Sequence, residues 1–305
     1  MARESSKLFP VVQNGVWGYI DQTGNIVIPP QFDRAWPSSE GLARVMLAGT
    51  FGYIDQTGER IVPPTFDYAY DFSEGLARVG LGALWGYIDQ AGKTVIPLQF
   101  DDAGDFSEGL APVKRGEQYG YIDQTGNIVI PPQFDNAYGF SEGLAPVGIV
   151  GAWGYIDTTG TVVLPPQFDY AGSFSEGLGP VQSRGKYGYI DKTGKFVLPP
   201  QYDQGTWPFS EGLARINIAN AFGYIEKTGT VVIAPQFDHA LGFSEGLAPV
   251  KRGGVWGYID RTGKGVIPPQ FDDAGEFSHG LAPVRTRGKL GYIDRTGHYV
   301  WNPTK

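Results

Sequence analysis

The sequence predicts an all-β fold, a closed β-propeller-like ring of nine small antiparallel blades, and three observations lead there. The segment Gly-Tyr-Ile-Asp/Glu begins nine times, at Gly18, Gly52, Gly86, Gly120, Gly154, Gly188, Gly223, Gly257 and Gly291. The spacing is 34 residues throughout except for one step of 35 between Gly188 and Gly223, so almost the whole chain is one repeated unit. No stretch carries apolar residues at helical spacing over ten or more positions. Third, 45 Gly and 23 Pro in 305 residues sit at fixed intervals, as punctuation between many short elements rather than as low complexity.

Each repeat holds three strand-like stretches. In the unit starting at Gly246 they cover 247–251, 255–260 and 265–268. The link between the second and third is a turn, as in Asp21-Gln22-Thr23-Gly24. Asp at the first position accepts turn amides, and Gly takes the left-handed conformation of a bulged hairpin. In the second strand, Trp17 and Tyr19 point to one side and Ile20 to the other. A strand apolar on both faces must be covered on both, so each sheet is packed between neighbouring sheets. The first strand, as at 109–113, is small and is expected to lie innermost, with the aromatic strand next. The third ends in Pro-Pro, which cannot donate to a further ladder. Three strands leave the chain at the wrong end to begin again. The connector, as at 99–108, must therefore run back as a short irregular fourth strand, and four antiparallel strands repeated around an axis make a propeller blade.

Open arrays need polar capping repeats at both ends. Here a first strand begins at 8–12 and a third strand ends at 299–301, with no cap at either side, which favours closure over the alternative, an open β-repeat solenoid. Residues 1–6 read as an N-terminal tail and 7–305 as a single nine-repeat domain. The extra residue of the sixth unit, within 204–208, is expected to bulge outward and leave the strand register unchanged.

The GYID-x-T-G core, preceded by Trp17, Trp85, Trp153 or Trp256 and followed by IPPQFD and FSEGLAPV, resembles the WG-containing (KWG-type) repeat family of bacterial proteins over about residues 7–303. The resemblance implies an all-β repeat protein with no established catalytic signature. It transfers no active-site residues, because the family motif is a structural one.

The chemistry of the sequence points away from an enzyme. Net charge is −8, which argues against phosphate-backbone binding, so nucleic acid is not an expected partner. There is no apolar run long enough to cross a bilayer, and MARESSKLFP lacks the apolar core of a secretory signal, so no membrane partner and a cytoplasmic setting are expected. The absence of cysteine excludes thiol catalysis and cysteine-ligated zinc. His239, His279 and His298 occupy three different repeat columns with no metal-ligand spacing, and read as surface substitutions. Two carboxylate columns recur outside the hairpin, the Asp of QFD (Asp33 to Asp272) and the Glu of SEG (Glu40 to Glu245). An enzyme needs one differentiated pair, whereas a repeated column marks a repeated structural task such as capping connector amides. Weak cation binding at a ring of carboxylates is the lesser alternative. The Ser of FSEG has no His column to serve as base, and no phosphate-binding glycine motif is present. No cofactor and no metal site is expected.

Two positions vary while the frame stays fixed. One is the tip between first and second strands, such as Ala48-Gly49-Thr50 or Arg184-Gly185-Lys186. The other flanks the connector Ala, as in Arg34-Ala35-Trp36 or Tyr68-Ala69-Tyr70. Strand parity places both near one face and the uniform DxTG and SEG turns on the other. Variation on a rigid frame is how scaffolds carry specificity. Arg44, Arg78 and Arg215 stand in a column that holds Pro elsewhere and are the best placed to reach an anionic guest in the central bore. Trp36 and Trp207 are the connector aromatics singled out with them. The expected function is a non-enzymatic binding scaffold, a monomer whose partner is a protein or a small polar or anionic ligand. The alternatives are a carbohydrate-active hydrolase using channel carboxylates, and a purely structural or consensus-derived symmetric propeller with no ligand.

Overall fold

A computed structural model describes residues 7–203, 205 and 207–304; the expected tail at 1–6 lies outside the described residues. Within them the chain forms 34 strands and no helix. The strands make nine small antiparallel sheets in a ring, a nine-bladed β-propeller. Contacts group the chain into two compact units, Met1–Phe140 with Thr158–Gly160 and Thr304–Lys305, and Ser141–Asp157 with Thr161–Pro303.

A sheet of the first unit shows the pattern. Its strands Tyr68–Ala69, Leu76–Leu81, Leu84–Asp89 and Thr94–Phe100 lie in that order, all antiparallel. The connector strand thus occurs as parity requires, but the expected order of strands needs correction. The first strand is not the edge of its sheet, because the connector strand hydrogen-bonds to its free side, pairing Tyr68 with Gly80 and Ala69 with Val79. A connector therefore opens the sheet of the repeat that follows it. Consequently the last sheet, Asp273–Ala274, Leu281–Thr286, Lys289–Asp294 and Tyr299–Thr304, has four strands, while the first, Phe9–Gln13, Val16–Ile20 and Ile26–Phe32, has three.

The second and third strands are joined by the expected turn. Asp123 Oδ1 accepts the Thr125 N–H (2.9 Å), the Thr125 hydroxyl (2.7 Å) and the Asn127 N–H (2.9 Å), and Gly126 has φ +88°. Beyond the turn the third strand bulges. Trp85 pairs with Phe100 and Tyr87 with Ile96, so three residues face the single Gly86. A Cβ on Gly86 would lie 2.6 Å from the Ile96 carbonyl oxygen and 2.8 Å from Leu98 N. The bulge accounts for both hallmarks of the repeat. Only glycine admits the crossing backbone, and proline is tolerated where the ladder is interrupted.

The core lies between consecutive sheets. In one cluster Leu76, Tyr87, Ile96 and Phe100 of one sheet meet Ala103, Phe106, Ala111, Val113 and Ile122 of the next. In the second unit Leu178, Tyr189, Leu198 and Tyr202 meet Phe209, Ala214, Ile216 and Ile225 in the same way. The repeat Tyr is fully buried, and its hydroxyl donates to the connector backbone, as Tyr87 does to Gly104 O (2.8 Å) and Tyr224 to Leu241 O (2.7 Å). The aromatic body fills the core while the hydroxyl keeps a partner, and burial raises the phenol pKa well above its ordinary value. The register around the irregular sixth connector is unchanged, with Leu213 still paired to Glu226. Gln204 and Thr206 of that connector lie outside the described residues.

Candidate functional site

The recurrent polar columns are engaged by the frame. Ser and Leu of each SEGL segment exchange two backbone hydrogen bonds, as Ser73 and Leu76 do at 2.9 and 3.2 Å, so Glu and Gly are the central pair of a two-residue hairpin. Both have positive φ, +54° at Glu74 and +83° at Gly75, as a type I′ turn requires. Glu is a poor residue for that conformation, and its side chain explains its presence. Glu40 Oε2 accepts the Gly75 N–H (2.9 Å), Glu74 those of Glu108 and Gly109, Glu211 that of Gly246 and Glu245 that of Gly280. Each carboxylate thus caps the equivalent turn of the next repeat. The Ser hydroxyl acts in parallel, Ser73 donating to Phe106 O (2.8 Å) and Ser210 to Phe243 O (2.8 Å). Asp of QFD accepts a tip amide of its neighbouring hairpin, as Asp67 does from Gly82 (2.7 Å).

The two ends of a blade differ as parity predicts. Gln124 of one DxTG turn donates to Glu74 O (3.3 Å), and Lys192 of another to Glu142 O (2.8 Å), so the uniform turns gather at one end. At the other, Tyr68 pairs with Gly80, two residues before the Gly82 tip. Tyr68 is 53% exposed, and its ring lies 5.6 Å from that of Trp85.

The arginines proposed from sequence are tied to these connectors. Arg44 stacks on Trp36 at 4.4 Å, Arg78 on Tyr70 at 3.5 Å and Arg215 on Trp207 at 4.3 Å, in each case an aromatic eight residues upstream. Each guanidinium also donates through Nη1 to the Ala carbonyl of the next connector, Ala69, Ala103 and Ala240. Arg44 Nε stands 3.3 Å from Asp71, and Arg78 Nε 2.8 Å from Asp105. Burial pushes the Asp71 carboxyl upward, against the pull of Arg44. Sequence reading named Arg44, Arg78, Arg215, Trp36 and Trp207, and Tyr70 only as a variable connector position, but missed Asp71 and Asp105. Their signal is covariation between repeats at fixed offsets. At Pro112, Pro180 and Pro283 the residue eight upstream is Gly104, Gly172 or Gly275, and a Cβ there would lie 2.6–2.9 Å from the proline ring, whereas Pro146 and Pro249 follow Tyr138 and Leu241. Arg is thus always matched by an aromatic, while Pro accepts Gly, Tyr or Leu at that place.

Arg215 departs from its counterparts. The Nε of all three arginines is buried without a hydrogen bond among the described residues, but Arg44 and Arg78 face a carboxylate there, whereas Gly242 replaces the Asp beside Arg215. A cavity of about 170 Å³ opens beside it, lined in part by Trp207, Phe209, Leu213, Phe243 and Glu276. Burial lowers the Arg215 pKa from its ordinary value, with Tyr224 and Glu276 acting in the opposite sense, yet a guanidinium stays charged at neutral pH.

The histidines take local roles. His239 lies between Phe222 and Trp256, with ring centroids 5.0 and 5.4 Å away; burial, then Arg215 and Lys251, lower its pKa. His279 holds the turn position of the SEG glutamate at φ +52°. His298 Nδ1 is 2.7 Å from the Thr296 hydroxyl. Among the described residues no group of three His, Asp or Glu is placed to hold a metal ion, and no helix is long and apolar enough to cross a membrane.

The sequence profile of the WG containing repeat matches residues 17–50, 51–84, 85–118, 119–149, 153–187, 187–220, 222–256 and 256–289. The chain belongs to the WG-containing repeat family. The ninth copy, around Gly291, falls beyond the last matched segment. No curated protein sequence matches the chain significantly. Among solved structures, this WG-containing repeat protein is similar to a crystal structure of the eukaryotic initiation factor, with TM-score 0.70 and 13% identity over 97% of this chain and 95% of that one. It is also similar to dihydro-heme d1 dehydrogenase NirN in complex with DHE, with TM-score 0.54 and 13% identity over 99% of this chain and 75% of that one. At such identities the likeness is one of fold.

Proposed function

We propose that this WG-containing repeat protein is a non-enzymatic binding scaffold whose specificity lies in the tips and connectors at one end of its blades. One observation carries the reading. The recurrent Asp, Glu, Ser and Tyr side chains bond to backbone within and between repeats, whereas exposed aromatics and cations collect at the positions that vary. In the first unit Tyr68, Tyr70, Trp85 and Arg78 form such a cluster, with Tyr70 38% exposed. Exposed aromatics such as Tyr68 and Tyr70, beside a cation, suit recognition of a partner surface. A hydrolase would instead need a carboxylate pair free of structural duty. The test is a thermal-shift screen of peptides and glycans against the protein and its Tyr68→Ser/Tyr70→Ser variant, since native-state binding raises the transition. Hits abolished by the variant are expected. Hits that survive it, or glycan cleavage by the unaltered protein, would overturn the proposal.

A further inference from the structure

The cavity beside Arg215 has the makings of a ligand site of its own. In the two equivalent places a carboxylate of the chain, Asp71 or Asp105, stands against the arginine Nε. At the third, the stacking on Trp207 and the bond to Ala240 O (2.6 Å) are retained, but residue 242 is glycine; none of the three Nε groups makes a hydrogen bond, and this one alone also lacks a facing carboxylate. A buried donor to which nothing is bonded is costly, the more so on a charged group. The about 170 Å³ beside it exceeds the roughly 150 Å³ that accommodates a benzene-sized guest. The cavity is lined by a carboxylate as well. Glu276 stands one repeat on in the column of Asp71 and Asp105, yet it turns back to accept the Gly242 N–H through Oε1 (2.9 Å) and makes no ion pair with Arg215. Phe209, Leu213 and Phe243 supply apolar lining to the same cavity. A simple anion would satisfy Arg215 but face Glu276. A ligand with a carboxylate at one end, an ammonium beside it and an apolar group satisfies all three surfaces.

We propose that this cavity binds a small α-amino acid with an apolar side chain, its carboxylate on Arg215 Nε, its ammonium on Glu276 and its side chain against Phe209, Leu213 and Phe243. The site uses connector columns and so deepens the binding reading proposed above, in repeats separate from the Tyr68–Tyr70 cluster. Calorimetric titration with leucine, isovalerate and isoamylamine tests it, because the last two lack the amine and the carboxylate respectively. Leucine is expected to bind at least tenfold more tightly than either. Gly242→Asp restores the carboxylate found at Asp71 and Asp105, at a residue without positive φ whose Cβ would meet only the mobile end of Glu276 (3.1 Å). It should abolish leucine binding while raising the Tm of the unliganded protein, which shows that the variant is folded. Glu276→Gln should weaken leucine at least tenfold and leave isovalerate no weaker. No leucine binding at millimolar concentration, equal affinity for leucine and isovalerate, or undiminished binding in Gly242→Asp would overturn the assignment. The Tyr68–Tyr70 cluster is scored separately, on peptide and glycan hits, so failure of either reading is distinguishable from failure of the other.

Discussion

The carboxylate of Glu74 accepts the backbone N–H groups of both Glu108 (2.7 Å) and Gly109 (2.9 Å), the two central residues of the next repeat's turn. Glu74 itself sits at φ +54°, so a side chain poorly suited to the backbone is kept for its reach. Glu74→Ala removes two charge-assisted hydrogen bonds without relieving the backbone. It should lower stability by about 1.5 kcal/mol, the low end for bonds to a charged group because the site is exposed. Glu74→Asn gains a residue that tolerates positive φ and should lose less. Urea midpoints of the two variants decide it, and an unchanged midpoint for Glu74→Ala would refute the capping role.

The glycine of the GYID core is expected to be less replaceable than its exposed counterpart in the turn. A Cβ on Gly120 would stand 2.7 Å from Pro132 N, in rigid backbone, so Gly120→Ala should cost about 1–3 kcal/mol or more through overpacking. Gly126→Val should cost about 1 kcal/mol or more, because a β-branched residue is strained at φ +88°. Gln124→Ala, which removes two long 3.3 Å contacts to Glu74 O and Oε2 at the surface, should leave the midpoint almost unmoved. Denaturant melts of the three variants in parallel would expose a wrong turn or bulge assignment through equal effects.

Arg78 and Tyr70 form one unit, and Pro112 with Gly104 is its alternative. Arg78→Pro alone should lose the stacking on Tyr70 and leave Asp105 without its cation. Adding Tyr70→Gly recreates the Gly–Pro arrangement and should recover part of the loss, with a coupling energy of about 0.5–3 kcal/mol, as expected of residues in contact. A double-mutant cycle giving strict additivity would mean that the two columns vary independently.

Stability should fall in acid through the DxTG aspartates. The Thr125 hydroxyl, followed after the opposing effect of burial by the Asn127 N–H, draws the Asp123 pKa down to about 2. Asp55, Asp191, Asp260 and Asp294 are lowered as well. An unfolded aspartate titrates near 3.9, at about which point the unfolded chain binds the proton more tightly than the folded one. The stabilisation is therefore complete above about pH 4 and is lost as pH falls toward 2. Urea midpoints between pH 6 and pH 2 measure the decline, and Asp123→Asn should reduce its slope. A slope the variant leaves unaltered would separate acid sensitivity from this turn.

Most of the frame was legible because it depends on local chemistry repeated nine times. Asp21, Thr23 and Gly24 specify a turn within four residues, and Trp17, Tyr19 and Ile20 declare a strand buried on both faces. What escaped depends on pairing at a distance. Small side chains in 109–113 suggested an inner edge, but steric size does not reveal which side of a strand holds unmet amides, and the connector claims that side. The bulge opposite Gly86 is likewise invisible until the third strand is placed against the second. At the arginine site the cations and two tryptophans were readable as departures from the proline column. Asp71 and Asp105 lie 27 residues further on, in a connector that belongs to the following sheet, so their role follows only once that assignment is known.

The bonds from Ser73 to Phe106 O and from Glu74 to Gly109 run in one direction along the chain. A repeat's two sides are therefore unlike: one offers hydroxyl and carboxylate, the other carbonyl and amides. Such a junction is heterologous rather than self-complementary. Any block of consecutive repeats cut from this protein ends in two different surfaces that fit each other and not themselves. Excised blocks should add end to end, giving a ladder of oligomers in light scattering, rather than stopping at a two-fold dimer. The same polarity lets a duplicated repeat enter anywhere in the chain with both of its junctions already made.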